Sequence, residues 1–254
     1  MILDSFSLKG KNALVTGSRV GLGAGIAVAL AQAGANVVVH GSSSRGMEEV
    51  CAAVSAAGAK AVPAIADVSD AHACEELVQL TVRELGSIDI LVNNAGIIRR
   101  SPAAEFSRKD WTDVIEINLN AVFRLSQLAG RYMLQQGRGK IVNIASLLSF
   151  QGGVFVPAYA AAKSGVAGIT KAFANEWAAK GVNVNAIAPG YMVTENTAAL
   201  RKDPERSRQI LERIPAARWG EPADLAGAAV FLCSPASDYI HGHVLVVDGG
   251  WLAR

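Results

Sequence analysis

The chain has 254 residues, a formal net charge of +2, 51% hydrophobic and 18% charged residues. That describes one well-buried α/β domain and gives no case for a disordered chain or a nucleic-acid partner. Its apolar runs are broken by Gly, Asn or charge short of the ~20 residues that span a bilayer. The opening segment lacks the charge-then-apolar order of a signal peptide, so a cytoplasmic protein with no membrane partner is expected. Cys51, Cys74 and Cys233 are scattered with no Cys-x-x-Cys pair, and no metal site is expected.

In chain order, residues 12–16 form the first apolar strand candidate. The turn Thr16-Gly17-Ser18-Arg19-Val20-Gly21-Leu22-Gly23 follows and leads into an apolar helix over 26–33. A glycine turn between a strand and a helix lets the backbone approach a pyrophosphate, and the helix N-terminus offers free N–H groups and partial positive charge. The spacing is Gly-x-x-x-Gly-x-Gly, unlike the commonest dinucleotide fingerprint. Further strand candidates lie at 36–40, 61–65, 90–93, 140–145, 182–188 and 243–247, most of them apolar throughout, as parallel strands covered on both faces are. Helical patterns over 48–57, 71–85, 111–134 and 159–180 are long enough for crossovers. The alternation predicts one α/β domain: a doubly wound parallel seven-stranded sheet with helices on both faces. An irregular polar stretch around 190–214 reads as a small helical substrate lid.

Tyr159 and Lys163 lie four residues apart and share a helix face, so a phenol stands beside a cation able to lower its pKa. Alone, such a pair is more often a surface feature of an amphipathic helix. Ser146, after the fifth strand candidate, and Asn118, inside the 111–134 pattern, add a hydroxyl and an amide.

The glycine turn, Asn93-Asn94-Ala95-Gly96, Asn118, Ser146, Tyr159 with Lys163, and Pro189-Gly190 followed by Thr194 resemble the short-chain dehydrogenase/reductase family, in the family's order and over most of the chain. The resemblance implies a Rossmann-type fold and hydride transfer between a nicotinamide cofactor and a ketone or secondary alcohol. It implies that Tyr159 is the general acid/base and that Lys163 lowers its pKa and bonds the nicotinamide ribose. Ser146 is expected to orient the substrate oxygen, and Asn118 to hold a water that relays protons from Lys163. On the cofactor it places Gly17, Arg19, Gly21, Leu22 and Gly23 of the turn, Asp67 and Val68 by the adenine, and Asn94, Ala95 and Gly96 along the adenosine. Pro189, Gly190, Val193 and Thr194 come beside the nicotinamide.

NAD(H) or NADP(H) is expected. The end of the second strand has Gly41 where an NAD enzyme usually carries a carboxylate, while Ser42, Ser43, Arg45 or Arg19 could meet a phosphate. This chemistry leans to NADP(H).

Stretches at 95–100, 148–153, 183–192, 214–220 and 247–254 resemble a narrower group, sugar-acid dehydrogenases of the 2-dehydro-3-deoxy-D-gluconate 5-dehydrogenase and 2-deoxy-D-gluconate 3-dehydrogenase type. A small-molecule sugar acid needs a cation for its carboxylate and polar groups for its hydroxyls. Arg99, Arg100 and Arg218 are the candidate cations, with Ser149, Gln151, Tyr191 and Asn196 as hydroxyl partners; the two adjacent arginines could equally be loop or interface residues. Trp111 and Trp219 read as packing residues and Trp251 as reaching a neighbouring subunit. Family resemblance implies a homotetramer built on 111–134 and 159–180. A gluconate 5-dehydrogenase, a 3-oxoacyl thioester reductase and a non-catalytic dinucleotide sensor are the competing readings.

Overall fold

Seven parallel strands organise the computed structural model, which describes residues 1–254. They are β1 (Asn12–Val15), β2 (Asn36–Gly41), β3 (Ala61–Ile65), β4 (Ile90–Asn93), β5 (Gly139–Ile144), β6 (Val182–Pro189) and β7 (Val244–Val247). Their order across the sheet is β3-β2-β1-β4-β5-β6-β7. The chain works outward from β1 to β3, returns to lay β4 against β1, and then continues the other way to β7. Such a reversal opens a crevice at the carboxyl ends of the strands. All seven expected strands form, with ends shifted by a residue or two; Thr16, Ala145 and His243 fall outside.

The helices are α1 (Gly21–Gln32), α2 (Met47–Ala56), α3 (Ala71–Leu85), α4 (Arg108–Ile115), α5 (Ala121–Gln136), α6 (Pro157–Trp177), α7 (Ala198–Lys202), α8 (Pro204–Arg213) and α9 (Ala226–Cys233). Ala13, Val15, Val37 and Val39 pack towards α1, α2 and α9. Leu14, Val38, Leu91 and Ile141 pack towards α3, α5 and the end of α6. Both faces are covered, so alternate residues of these strands have no reason to be polar. Burying each such Leu, Ile or Val contributes roughly 1.5–3 kcal/mol. The outermost strand β3 instead alternates buried and exposed positions, and it tolerates Pro63, which cannot donate a ladder hydrogen bond.

The helical pattern read at 111–134 starts earlier, at Arg108, where the Ser107 hydroxyl accepts from the Asp110 N–H at 3.0 Å. It is interrupted by a π-helical segment, Glu116–Asn120. The stretch 190–214 carries a 3₁₀ turn (Glu195–Thr197), α7 and α8. Asp203 caps α8 and Pro204 starts it. Ile210 and Ile214 seat this segment on Leu147 and Trp251. Trp251, read as reaching a neighbouring subunit, is only 5% exposed within its own chain, whereas Trp111, read as a packing residue, is 43% exposed. No helix is long and apolar enough to cross a membrane.

Candidate active site

α6 starts at Pro157, whose missing N–H is not needed in a first turn, and places Tyr159 and Lys163 one turn apart against the end of β5. A buried polar chain runs from the sheet to the helix and crosses between them at Asn143 and Thr170. Asn93 of β4 donates to Asn143 Oδ1 of β5 at 2.8 Å, Asn143 donates to Thr170 Oγ1 of α6 at 2.9 Å, and Thr170 donates to Val166 O at 2.7 Å. The crossing bond is buried, and its loss would leave an Asn143 donor unsatisfied, so it favours the observed seating of α6 on β5.

Lys163 is 3% exposed. Its Nζ donates to Ile144 O at 2.6 Å and lies 5.6 Å from the centre of the Tyr159 ring. Burial pushes its pKa down to about 8. Tyr159 is half-buried, and burial raises its phenol, against the opposing pull of the Ser146 hydroxyl and the Arg100 charge. The net direction is upward because desolvation of the phenolate outweighs the Ser146 hydrogen bond and the Arg100 charge.

The depressed lysine has a consequence for stability. Its unfolded pKa is ~10.4, so between about pH 8 and that value the unfolded chain binds more protons than the folded one. The penalty for holding a buried ammonium is full below about pH 8 and disappears as pH rises towards the unfolded value. Relative to Lys163→Met, the wild type should therefore gain about 3 kcal/mol between neutral pH and ~pH 10.5, at 1.36 kcal/mol per unit. Urea unfolding of both proteins across that range checks it; parallel pH dependences would overturn it.

Ser146 lies in extended backbone just past β5, and its Oγ accepts from Leu148 N at 3.2 Å. Asn118 sits in the π segment, fully buried, with Nδ2 donating to Ile97 O and Val114 O at 2.9 Å each. Its Oδ1 has no hydrogen-bond partner. Gly96 permits the approach, since a Cβ there would stand 2.6 Å from that oxygen.

The glycine turn is held from both sides. Thr16 Oγ1 accepts from the N–H groups of Asn94 and Ala95 at 3.0 and 3.1 Å, and Asn94 Nδ2 donates to Thr16 O and Gly17 O at 2.9 and 3.0 Å. Gly17, at φ +63°, has no room for a side chain, because a Cβ would meet Ala95 Cα at 2.9 Å. A Cβ at Gly23 would lie 2.4 Å from both Gly17 O and Asn94 Nδ2, whereas over Gly21 the nearest atom, Thr194 Cγ2, is 4.0 Å away. The result is a bare backbone cradle at the N-terminus of α1, a shape that fits a pyrophosphate. At the end of β2, Arg19 lies across Gly41: a Cβ there would be 2.5 Å from Arg19 Cδ, and Arg19 Nη1 donates to Arg45 O at 3.0 Å. Asp67 is exposed, with Oδ1 accepting from Ser69 N and Oγ, and Val68 is buried. Val193 N donates to Gly220 O at 2.7 Å, and Gly190 N to Val247 O at 2.9 Å.

A cleft of about 470 Å³ opens beside Tyr159. Leu22, Pro189, Gly190 and Thr194 line one part of it, and Ser146, Gln151 and Tyr191 another. Of the three candidate cations only Arg100 lines it. Arg99 turns away to Asp110 at 3.4 Å, and Arg218 makes a two-pronged pair with Asp224 at 2.7 Å on each arm, so both are placed outside the cleft. Arg206 and Arg213 of α8, which sequence reasoning did not single out, face it instead. No Asp or Glu lines this cleft. Its chemistry is therefore a phenol and a hydroxyl beside a cofactor-shaped cradle, with guanidinium groups around the remainder.

The chain is similar to known proteins along its whole length. A family model described as "Enoyl-(Acyl carrier protein) reductase" matches residues 17–252. A 2-dehydro-3-deoxy-D-gluconate 5-dehydrogenase of Dickeya dadantii is 55% identical over 255 residues, covering 100% of both chains. A chain from Agrobacterium tumefaciens, described as a 2-deoxy-D-gluconate 3-dehydrogenase with bound NADP, is 54% identical. It covers 99% of this chain and 100% of its own, with a TM-score of 0.92. A gluconate 5-dehydrogenase from Burkholderia cenocepacia, in complex with NADP and tartrate, is 39% identical over 100% of both chains, with a TM-score of 0.95.

Proposed function

Because the chain belongs to the short-chain dehydrogenase/reductase family, we propose that it interconverts a ketone and a secondary alcohol on an open-chain sugar acid of the 2-dehydro-3-deoxy-D-gluconate or 2-deoxy-D-gluconate type. It is an NAD(P)-dependent oxidoreductase acting on CH–OH groups. The observation that carries the substrate class is a cleft with Arg100, Arg206 and Arg213 in its lining and no carboxylate to neutralise them, which favours an anion. When bound, NADP(H) supplies or accepts the hydride.

The glycine cradle would hold the pyrophosphate, with Asn94 bracing the turn from the β4 side. Asp67 and Val68 would hold the adenine, Ala95 and Gly96 the adenosine, and Pro189, Gly190, Val193 and Thr194 the nicotinamide. Arg19, stretched over Gly41 next to Ser42, meets a 2′-phosphate where an acidic residue would repel it. NADP(H) is accordingly the preferred cofactor.

In reduction, negative charge develops on the ketone oxygen, and Ser146 and Tyr159 direct their hydroxyls to it. A phenol held above its ordinary pKa stays protonated at neutral pH and is ready to donate. Lys163 would bond the cofactor ribose and return the proton to Tyr159, with Asn118 Oδ1, which has no partner, free to hold the relaying water. In oxidation Tyr159 works as the base, so that direction gains as pH rises. The segment 190–214 acts as a helical lid over the substrate. The exposed Trp111 and Phe123 on the α4–α5 arm fit buried positions in a homotetramer.

A steady-state panel tests this reading, and light scattering on the same preparation tests for four copies. Sugar-acid ketones with NADPH should exceed both the same ketones with NADH and neutral ketones with NADPH by tenfold or more in kcat/KM. Preference for NADH sinks the cofactor reading; preference for neutral or thioester-linked ketones sinks the substrate reading.

A further inference from the structure

We propose that Arg213, with Arg206 beside it on α8, is the anchor for the substrate carboxylate, and that Trp251 and Arg254 are positioning residues that hold Arg213 for this task. The inference rests on the sugar-acid reading above and names the residues that make it specific.

The basic residues of α8 sort by face. Arg208 points away from the cleft into a network with Glu205 and Glu212 at 2.6 to 2.9 Å. Arg206 and Arg213, seven residues apart and so on one face two turns apart, line the cleft. Neither has a carboxylate partner: Arg206 donates to the neutral Gln209 Oε1 at 2.9 Å. The guanidinium carbon of Arg213 lies 4.0 Å over the Trp251 ring. Stacking of this kind holds the plane of the fork while leaving its N–H edges free to meet a carboxylate in two-pronged fashion.

The C-terminal segment supplies both supports. Trp251 is buried against Leu147, Ile210 and Ile214, and its Nε1 donates to Gln151 Oε1 at 3.4 Å. Arg254 closes the end of α8, donating through Nε to Arg213 O at 3.1 Å and through Nη2 to Glu212 O at 2.5 Å. A cation on the last carbonyls of a helix is favourably placed.

Position along the cleft separates Arg213 from Arg100. Arg100 donates to Asn196 O at 3.1 Å and its charge reaches both the Tyr159 phenol and Tyr191, whereas the charges of Arg206 and Arg213 reach Tyr191 and not Tyr159. The Arg213 end is marked by Tyr191, whose ring lies 4.6 Å from that of Trp251. A sugar acid whose ketone sits several carbons from its carboxylate would lie with the ketone at Tyr159 and the carboxylate at α8. Binding the carboxylate there ties the lid segment to the body of the fold.

The experiment compares kcat/KM for a sugar-acid ketone with that for its neutral primary amide, both with NADPH. Wild type should favour the acid by about 100-fold. Arg213→Gln should cut that ratio by at least 30-fold through KM for the acid, with KM for NADPH held, and Arg213→Lys should restore part of it. Arg254→Gln should raise KM for the acid severalfold at constant kcat, with rescue by Arg254→Lys. A ratio in Arg213→Gln equal to that of wild type overturns the anchor. Unchanged KM in Arg254→Gln overturns the positioning role. A wild type that does not discriminate acid from amide overturns the sugar-acid reading itself, a different failure read in a different protein.

Discussion

Tyr159→Phe is expected to lower kcat by about 10²–10⁴-fold, the usual contribution of a placed proton donor, while NADPH binding stays within a factor of about three. The substitution removes one hydroxyl and keeps the ring, so the Lys163 ammonium, 5.6 Å from the ring centre, retains its aromatic neighbour and its bond to Ile144 O. Ser146 remains as a hydrogen-bond donor but has no path to resupply a proton, which is why the loss should fall on turnover and not on KM for the cofactor. The pH profile offers a second reading. With the phenol raised by burial, wild-type reduction should hold through neutral pH and decline only in the alkaline range. The variant's residual rate should lack that decline. Single-turnover kinetics and cofactor fluorescence measure both, and near-normal turnover in the variant would refute the assignment of Tyr159 as acid.

Gly23→Ala should weaken NADPH binding by about 10- to 100-fold, since forcing atoms into a packed site costs typically 1–3 kcal/mol. The added Cβ would stand 2.4 Å from Gly17 O and from Asn94 Nδ2. Neither is the free end of a flexible chain: one is backbone, and the other is pinned by two hydrogen bonds. The turn can relieve the contact only by opening, which moves the N–H groups that meet the pyrophosphate. Gly21→Ala is the informative contrast, because its Cβ would meet nothing closer than 4.0 Å and its cost is confined to the strain of φ +61°. Equal Kd values in wild type and Gly23→Ala, by titration calorimetry, would show that the cradle is not the phosphate site.

Much of this was legible in the sequence because its causes are local or periodic. Strands covered on both faces must be apolar throughout, so β1, β2 and β4 announce themselves. α3 ends at its expected residues because Asp70 caps its start and Gly86 takes the left-handed turn at its close. Tyr159, Lys163 and Ser146 follow from spacing and family resemblance, and the structure brings them together. Arg100 lines the cleft, while Arg99 and Arg218 fall outside it for a physical reason: a cation's availability depends on where the acids lie, and Asp110 and Asp224 reach Arg99 and Arg218 only through the fold. A signal for the α8 arginines was present. Glu205 and Glu212 bracket Arg208 at helical spacing and mark the solvated face, which leaves Arg206, Ile210 and Arg213 as the inward stripe. The π segment had no such signal, since it depends on Asn118 finding Ile97 O across the fold as well as Val114 O within its own helix.

The reversal of strand order between β1 and β4 also divides the molecule's capacity to change. Arg19, Gly41 and Arg45, around the cofactor's outer end, belong to the β1–β3 side, while Arg100, Tyr191, Arg206 and Arg213 come after β4. The two sets share no hydrogen bond, and sites without shared partners contribute nearly independently. On the proposed assignments, substitution of Arg19 or Arg45 should alter the choice between NAD(H) and NADP(H) and leave the preference for an acid over a neutral ketone unchanged. The two choices meet at Tyr159 and Lys163 and again at Pro189, Gly190 and Thr194, which line the same cleft as Arg206 and Arg213.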